Sequence, residues 1–484
     1  MRHLLIAALL ALPAASSAQS RVLVAADSAL IGRILRAEDR RDSSAAALAD
    51  GARHADARVR TLAQRARGRI TDPRFGARDS LPSLPAPTDW PEPAWRVRLR
   101  GLTAPTTECA ALRVAMADSA WPVRLRAADL VAAPCAADDA LVATLREWIT
   151  ALPTDASRRR AGGVSGHAAA HAGVALARVR PDEARARVAR LASHRQGQGR
   201  MYAARMAAVL SDTFRLRALA RDVDDNVKEV AIESLAKLTG HTDDDIYLVA
   251  MAGQGAQAVR AAATALTGSP RADVRAVASA TFARWVARGN ASARDARVAL
   301  LEAAGRPASD DQPPAARAVR LPQLVALALG ADVRLRVRMA PTSGGGSFVV
   351  RLRGDVAPVM ASRILALART RYYDGLTWHR VEHDFVIQGG SPGRNEYVGL
   401  SAFLRDELGT VPHRRGTVGM STRGHDTGDA QWFVNLKDNV RLDRDYTVFA
   451  EVIEGIGVVD GIMEGDTIAS ITEVRGARFP SIRS

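Results

Sequence analysis

The chain of 484 residues is longer than the ~250–300 residues at which a single hydrophobic core usually divides, so its length predicts at least two domains. Its residues are 47% hydrophobic and 25% charged, which is typical of globular proteins and excludes a chain disordered throughout or a collagen-like fibre. Two cysteines exclude a disulfide framework and a four-thiolate zinc site, whereas the net charge of +15 is compatible with an acidic partner, a membrane surface or a compositional bias.

The first residues have the order of features found in secretory signal peptides. Arg2 provides a positive start, Leu4 to Leu12 form an apolar run, and Ser16 to Ala18 are small residues suited to cleavage. We therefore expect residues 1–18 to be a signal peptide, although a buried first helix is the alternative. This predicts an exported protein, with the periplasm favoured over extracellular release. No later stretch reaches the ~18 apolar residues of a membrane helix, so no integral membrane segment is expected after signal removal.

Residues before about 305 are rich in alanine and leucine, with apolar residues three and four positions apart, which predicts amphipathic helices. A short pattern of aspartate, valine, a basic residue and alanine recurs in this part. Its clearest copies are Asp56-Val59-Arg60-Ala63, Asp118-Val123-Arg124-Ala127 and Asp224-Val227-Lys228-Ala231, with looser copies at Val259 and Val274. The pattern resembles HEAT-like repeats, in which the valine enters the core between repeats and acidic and basic residues pair along the stack.

Proline-rich stretches divide the helical part. They predict a short helical, HEAT-like segment at 21–70, a linker at 71–93, a HEAT-like solenoid at 94–305 and a second linker at 306–320. Residues after 330 contain 20 basic and 19 acidic side chains, so nearly all the positive charge lies before them. That charge indicates either a protein partner on the repeats or a solvated arginine-rich surface. Nucleic acid is not expected, because exported proteins rarely meet it and aromatic residues are sparse here.

The two cysteines and two histidines of the helical part have no settled role in the sequence. Cys109 and Cys135 either pair in an oxidising compartment or remain buried thiols, and the sequence leaves both open. His167 and His171 are four residues apart, as in some zinc sites, but no glutamate lies between them and no third ligand is evident. We predict no metal site.

The pattern changes to alternation from Asp332 onward, where two alternating segments flank Gly344-Gly345-Gly346 and predict a β-hairpin. Ala357-Pro358 begins a helix, because proline at the first helical position costs no hydrogen bond. Further strands are predicted at 377–380, 385–388, 432–436 and 447–452, and a second short helix at 456–463. Many short strands and two helices predict a closed antiparallel β-barrel, so the fold class is multidomain, α plus β.

Five sequence blocks of this part resemble the cyclophilin family of peptidyl-prolyl isomerases. They occur in family order over residues 331–476, at Tyr373 to Val381, Asp384 to Gly390, Gly416 to Ser421, Ala430 to Asn435 and Leu442 to Phe449. The resemblance implies an eight-stranded barrel with two helices, a shallow groove that binds proline-containing polypeptides, and isomerase activity without a cofactor or metal.

The residue chemistry suits the same reaction. Rotation about an X–Pro bond localises the lone pair on the proline nitrogen, so a fixed cation near that nitrogen stabilises the transition state more than the planar amide. Arg380 is the candidate cation, and the resemblance assigns Gln388 to hold it, with His379 beside them. The resemblance also implies substrate-binding roles for Phe385, Val386, Thr422, Gln431, Phe433, Leu442 and Tyr446.

Each of these residues also has a structural interpretation. Phe385 and Phe433 could be ordinary barrel core, and Arg380 could be a surface residue on an edge strand. Val386, Thr422 and Tyr446 replace the methionine, asparagine and histidine that are commonest in the family, which leaves the preference for residues around proline open. The alternative function is a non-catalytic proline-peptide-binding, chaperone or scaffold module that uses the helical repeats for partner binding.

Overall fold

The computed structural model describes residues 23–71, 90–104, 108–150, 166–311 and 321–474. Residues 1–18 of the predicted signal peptide, and most of both predicted linkers, lie outside these ranges. The chain divides into two compact units, whose described residues are 23–71 and 90–474.

Three helices form the first unit: α1 (Ala25–Arg40), α2 (Ala46–Ala52) and α3 (Ala57–Thr71). Their apolar faces meet around Ile31, Ile34 and Val59, which are fully buried. Glu38 is also buried, and its carboxylate pairs with the guanidinium groups of Arg65 and Arg69. These two cations outweigh the effect of burial and hold the pKa of Glu38 below its usual value.

The second unit begins with a helical array, defined here as helices α4 to α16. Their bounds are α4 (Ala94–Gly101), α5 (Cys109–Ala115), α6 (Trp121–Leu130), α7 (Asp139–Thr150), α8 (Gly166–Val179), α9 (Pro181–Ala192), α10 (Gly197–Val209), α11 (Thr213–Leu219), α12 (Asp225–Thr239), α13 (Asp244–Met251), α14 (Ala256–Leu266), α15 (Val274–Ala287) and α16 (Arg294–Ala303). Helices α6, α8, α10, α12, α14 and α16 pack successively into one layer, and α9, α11, α13 and α15 pack behind them. The prediction of a helical N-terminal region is confirmed.

The recurring valine and alanine of the sequence pattern are core residues. Val59, Val123, Val227, Val259 and Val274 are all buried, and so are the alanines that follow them. The aspartates begin helices: Asp224 Oδ1 accepts a hydrogen bond from the main-chain N–H of Asn226 at 2.9 Å, which satisfies a donor at the start of α12. Charge pairing between neighbouring helices also occurs, for example between Arg146 of α7 and Glu183 of α9 at 2.5 Å.

A disulfide links two neighbouring segments of the helical array. Cys109 of α5 and Cys135 of a following 3-10 turn form a disulfide, with their Cα atoms 5.4 Å apart.

In the part of the chain that the structure describes, every helix falls short of the length and apolarity needed to cross a bilayer.

The barrel, residues 334–473, follows helix α17 (Leu321–Ala328). Its elements are β1 (Arg334–Met339), β2 (Ser347–Leu352), α18 (Pro358–Arg369), β3 (Thr377–Val381), β4 (Val386–Ser391), β5 (Thr417–Met420), β6 (Trp432–Asn435), β7 (Val448–Glu454), α19 (Ile456–Asp460) and β8 (Ile468–Glu473). All strand pairs are antiparallel, in the order β3-β4-β6-β5-β7-β2-β1-β8. The predicted hairpin is β1–β2, with Val337 opposite Phe348.

Main-chain hydrogen bonds join the two outermost strands of this order. The N–H of Gly375 donates to the carbonyl oxygen of Ile468 at 2.8 Å, and the N–H of Ile468 donates to Leu376 at 2.8 Å. These bonds close the sheet, so the predicted antiparallel barrel is confirmed. Trp378 and Trp432 fill its interior with ring centroids 5.0 Å apart. Strands β5 and β8 and helix α17 were not among the predicted elements.

The helical array contacts the barrel at several places, of which two bear on the site. On α4, Arg96 is fully buried and donates to the carbonyl oxygens of His383 and Leu436 at 2.8 and 2.7 Å, while its third nitrogen pairs with Asp460 at 3.0 Å. At the other end, Asn395 of the barrel hydrogen-bonds Asn226 of α12 at 3.2 Å and also bonds Gln257 of α14. The loop after β4 is therefore held by helices of the array.

Candidate active site

Strand register brings three of the predicted site residues side by side. Arg380 on β3 lies opposite Gln388 on β4, and Gln388 lies opposite Phe433 on β6. Side chains at the same register position of adjacent antiparallel strands point to the same face of a sheet. A cation, an amide and an aromatic ring therefore form one row across three strands.

A groove of about 220 Å³ lies over this row, and we call it the Arg380 groove. Eight of the ten predicted site residues line it: Arg380, Phe385, Val386, Gln388, Thr422, Phe433, Leu442 and Tyr446. Glu396, Ser421 and Arg423 complete the lining and were not predicted. The other two predicted residues, His379 and Gln431, lie beside the groove instead.

Arg380 is held by two carboxylates and one amide. Its Nε donates to Glu382 Oε1 at 2.9 Å, and its Nη1 lies 3.1 Å from Glu396 Oε1. The same Nη1 donates to Gln388 Oε1 at 3.4 Å. The side chain remains 38% exposed, so the guanidinium is oriented by its neighbours and still accessible from the groove. Glu382 lies two residues after Arg380, a spacing that brings side chains to one face of a strand and that would have revealed this partner.

Gln388 is buried and connects Arg380 to the loop after β4. Its Nε2 donates to Ser421 Oγ at 2.8 Å and to Gln431 Oε1 at 3.2 Å. Gln431 in turn donates to the carbonyl oxygens of Glu396 and Val398 at 3.1 and 3.0 Å. Gln431 therefore positions Gln388 and the loop that carries Glu396, without lining the groove itself.

The apolar floor of the groove is the ring of Phe433. The imidazole of the buried His413 stacks on this ring with centroids 5.9 Å apart, and Tyr446 meets it edge to face at 5.8 Å. Gly419 on the neighbouring strand leaves room for the ring, because a Cβ there would lie 2.3 Å from Phe433. His413 was not predicted, although it lies a few residues before the Gly416 block.

The rim of the groove carries a second aromatic ring and a second arginine. The guanidinium carbon of Arg441 lies 4.0 Å from the centroid of the Phe385 ring, and that of Arg380 lies 5.9 Å away. Such contacts between a cation and a ring face stabilise both side chains. Phe385 is half-buried, so its ring borders the groove and is not part of the barrel core.

His379 has an uncharged imidazole at neutral pH. Burial lowers its pKa to about 4 and outweighs the main-chain contact with Thr377, which acts in the opposite direction; the charge of Arg380 lowers the pKa further, and Gln431 opposes it. Neither ring nitrogen makes a hydrogen bond of normal geometry to a described residue. The ring faces a second cleft, between the barrel and the helical array.

The described residues include no group of three or more side chains arranged to hold a metal ion. His167 Nε2 contacts the carbonyl oxygen of Glu464 at 2.6 Å, and His171 Nδ1 contacts Asp129 at 2.6 Å. Both histidines are therefore engaged with protein groups. The Arg380 groove offers a fixed cation beside an apolar floor, an arrangement suited to polarising a bound amide.

Comparison with known proteins matches the barrel part of the chain to one protein family. A model of the family "Cyclophilin type peptidyl-prolyl cis-trans isomerase/CLD" matches residues 336–476. A peptidyl-prolyl cis-trans isomerase of Helicobacter pylori (strain ATCC 700392 / 26695) is 36% identical over 130 residues, which are 26% of this chain and 80% of that protein. The human peptidyl-prolyl cis-trans isomerase-like 1 is 36% identical over 124 residues, 24% of this chain and 74% of that protein.

Among solved structures, a cyclophilin type peptidyl-prolyl cis-trans isomerase of Cryptosporidium parvum aligns with a TM-score of 0.28 and 21% identity. The alignment covers 30% of this chain and 99% of that chain.

Proposed function

The chain belongs to the cyclophilin-type peptidyl-prolyl cis-trans isomerase family, and from this premise we propose that its barrel isomerises X–Pro bonds in exported polypeptides, with Arg380 stabilising the twisted amide. The observation that carries the proposal is the row of Arg380, Gln388 and Phe433 across β3, β4 and β6. It sets a permanent cation beside an apolar floor that fits a proline ring.

The reaction needs no covalent intermediate. An X–Pro bond rotates over a barrier of ~20 kcal/mol, because the planar amide loses its resonance on the way. In the twisted state the nitrogen lone pair is no longer delocalised, and a hydrogen bond from Arg380 to that nitrogen becomes stronger than in the planar state. The cation therefore lowers the barrier instead of merely tightening binding.

The remaining groove residues divide between positioning and burial. Gln388 contacts Arg380 and is itself held by Ser421 and Gln431, which limits the number of orientations that the guanidinium can adopt. Burial of a proline ring against Phe433 supplies binding energy at roughly 25 cal/mol per Å² of apolar surface. Val386 and Thr422 line the same groove and are proposed to influence the preference for residues next to proline.

Two observations support the proposal that the protein is exported and acts in the periplasm. Residues 1–18 have the charge, apolar run and small-residue order of a signal peptide. The Cys109–Cys135 disulfide suits an oxidising compartment, where disulfides form and persist. Mass spectrometry of the N-terminus of the protein purified from a periplasmic fraction tests this, with cleavage after residue 18 expected and an intact Met1 contradicting it.

We also propose that the helical array is HEAT-like and binds a protein partner. The buried valines and the aspartates that begin its helices support the repeat interpretation. Affinity capture with the full chain tests partner binding. The capture is then repeated with a variant of the full chain in which exposed arginines of the array are replaced by glutamates. Loss of the captured protein is the expected result, and unchanged capture would contradict a partner on this surface.

A protease-coupled assay with a short proline-containing peptide tests the enzymatic proposal. We expect the full chain to convert the cis fraction faster than the spontaneous interconversion, which takes tens to hundreds of seconds. Tight binding of the peptide without acceleration would contradict the isomerase proposal and would favour the non-catalytic proline-binding or chaperone module.

A further inference from the structure

A second cleft, of about 650 Å³, separates the helical array from the barrel, and we call it the array cleft. Its barrel wall includes His379, Arg380 and Glu396, and its other wall is formed by helices α10, α12 and α14. Arg380 and Glu396 line both the array cleft and the Arg380 groove. A polypeptide with its proline in the groove can therefore continue into the array cleft.

Helix α12 presents one face to this cleft. Asn226, Glu229 and Glu233 recur at three- and four-residue spacing, which brings them to the same side of a helix. Glu233 keeps 42% of its side chain exposed, although its carboxylate lies 2.8 Å from Arg260 of α14. Arg260 also pairs with Glu229, so one guanidinium serves two carboxylates on this wall.

The charges that line the array cleft are predominantly negative. Six carboxylates belong to Asp224, Glu229, Glu233, Glu396, Glu464 and Asp466, and four guanidinium groups belong to Arg205, Arg260, Arg380 and Arg394. The whole chain, in contrast, has a net charge of +15. The cleft lining therefore has an excess of two negative charges, and a cleft with a net negative charge attracts a cationic segment.

His379 gives the cleft a hydrogen-bonding group for a ligand. Its two ring nitrogens are buried at the cleft wall without a hydrogen bond of normal geometry to any described residue. An imidazole of this kind carries one donor and one acceptor, which match the carbonyl and N–H groups of an extended main chain. A hydrogen bond of normal geometry between a bound polypeptide and this imidazole would add to the affinity.

We propose that the array cleft is a second substrate subsite, which binds the segment flanking the isomerised proline and selects a lysine or arginine within it. The inference rests on the proposed isomerase function. An extended chain advances ~3.3–3.6 Å per residue, so a residue two to four positions from the proline reaches roughly 7–14 Å into the cleft. Glu233 is the specificity-determining residue on the array wall.

The test compares peptides that differ only in a lysine or a glutamate at positions two to four on either side of the proline. NMR exchange spectroscopy measures kcat/KM without a coupling protease. For the full chain at low salt, we expect the lysine peptide to exceed the glutamate peptide at least fivefold at one or more positions. The ratio should shrink in 0.5 M salt, because ions screen the attraction.

Variants of Glu233 show whether the array wall of the cleft causes the preference for lysine. Glu233→Gln is expected to lower the lysine-to-glutamate ratio at least threefold, and Glu233→Lys to reverse the preference. Glu302→Gln is the matched control, since Glu302 is an exposed glutamate of α16 that does not line the cleft, and the ratio should stay as in the unmodified chain. Equal kcat/KM for both peptides, or an equal change in the control, would overturn the subsite.

Failure of the subsite is distinguishable from failure of the proposed function. If neither peptide is isomerised, the proposed function fails, and calorimetric titration of the same peptides still decides the subsite. At least fivefold tighter binding of the lysine peptide supports it, and equal binding overturns it.

Discussion

The hydrophobic cores of the helical array and of the barrel are built from different residue types. Between the helices, Ala203, Ala231 and Ala262 are fully buried, and such small side chains let neighbouring helices approach closely and stack. The barrel instead fills its interior with Trp378 and Trp432, whose rings meet at 5.0 Å. The array thus forms an extended surface, whereas the barrel core supports the row of Arg380, Gln388 and Phe433.

Substitutions in these two cores are expected to have the largest effect on the free energy of unfolding, and the barrel should lose more than the array. Trp378→Ala removes a fully buried indole from the barrel and should lower the free energy of unfolding by ~3–5 kcal/mol, because the cavity cannot collapse. In the array, Ala262→Leu inserts volume between packed helices and should cost ~1–3 kcal/mol through overpacking. Chemical denaturation measures both, and a Trp378→Ala cost under 1 kcal/mol would contradict the account of the barrel core.

Much of the barrel and its groove was predictable because its residues lie on short strands whose alternation and order follow the family pattern. Arg380, Gln388 and Phe433 belong to three such blocks, and strand pairing places them in one row. Strand β8 was missed because its buried residues, Ile468 and Ile471, are three positions apart and break the alternation expected of a strand.

The contacts between the array and the barrel were not predictable from the sequence. Gln257 and Asn395 meet although 138 residues separate them, and local periodicity marks neither residue. Glu396 likewise reaches Arg380 only because the loop after β4 is held by the array and by Gln431. The disulfide was left open for a similar reason, since only the packing of α5 brings Cys109 to Cys135.

A smaller effect is expected where the array meets the barrel. Arg96→Met should lower the free energy of unfolding by about 2–3 kcal/mol, because it removes a buried guanidinium and leaves the carbonyl oxygen of His383 without its donor, although Leu436 and Asp460 keep their contacts with Arg415. Arg98→Met on the same helix is the matched control: Arg98 is 46% exposed in its pair with Asp118, so its loss should leave the free energy of unfolding nearly unchanged. Equal losses measured by denaturant unfolding would show that Arg96 does not hold the two regions together.

A pH dependence of stability is also expected from the barrel. Because the pKa of His379 is lowered to about 4, the unfolded chain takes up a proton at this histidine between pH 6.5 and 4 while the folded chain does not. Stability should therefore fall as the pH falls through this window. His379→Gln should make thermal stability depend less steeply on pH there, and parallel curves for the two proteins would refute the assignment.

Arg380 is the residue on which the functional account depends most directly. The decisive measurement is kcat/KM for a proline peptide in the full chain, Arg380→Ala and Arg380→Lys, with unfolding curves recorded for each. We predict that Arg380→Ala lowers kcat/KM at least tenfold, equivalent to ~1.4 kcal/mol in the barrier, while the folded structure persists. Arg380→Lys should restore only part of the rate, because an ammonium group lacks the planar donor fork. Unchanged kcat/KM in a folded Arg380→Ala protein would contradict the proposal that this arginine stabilises the twisted amide.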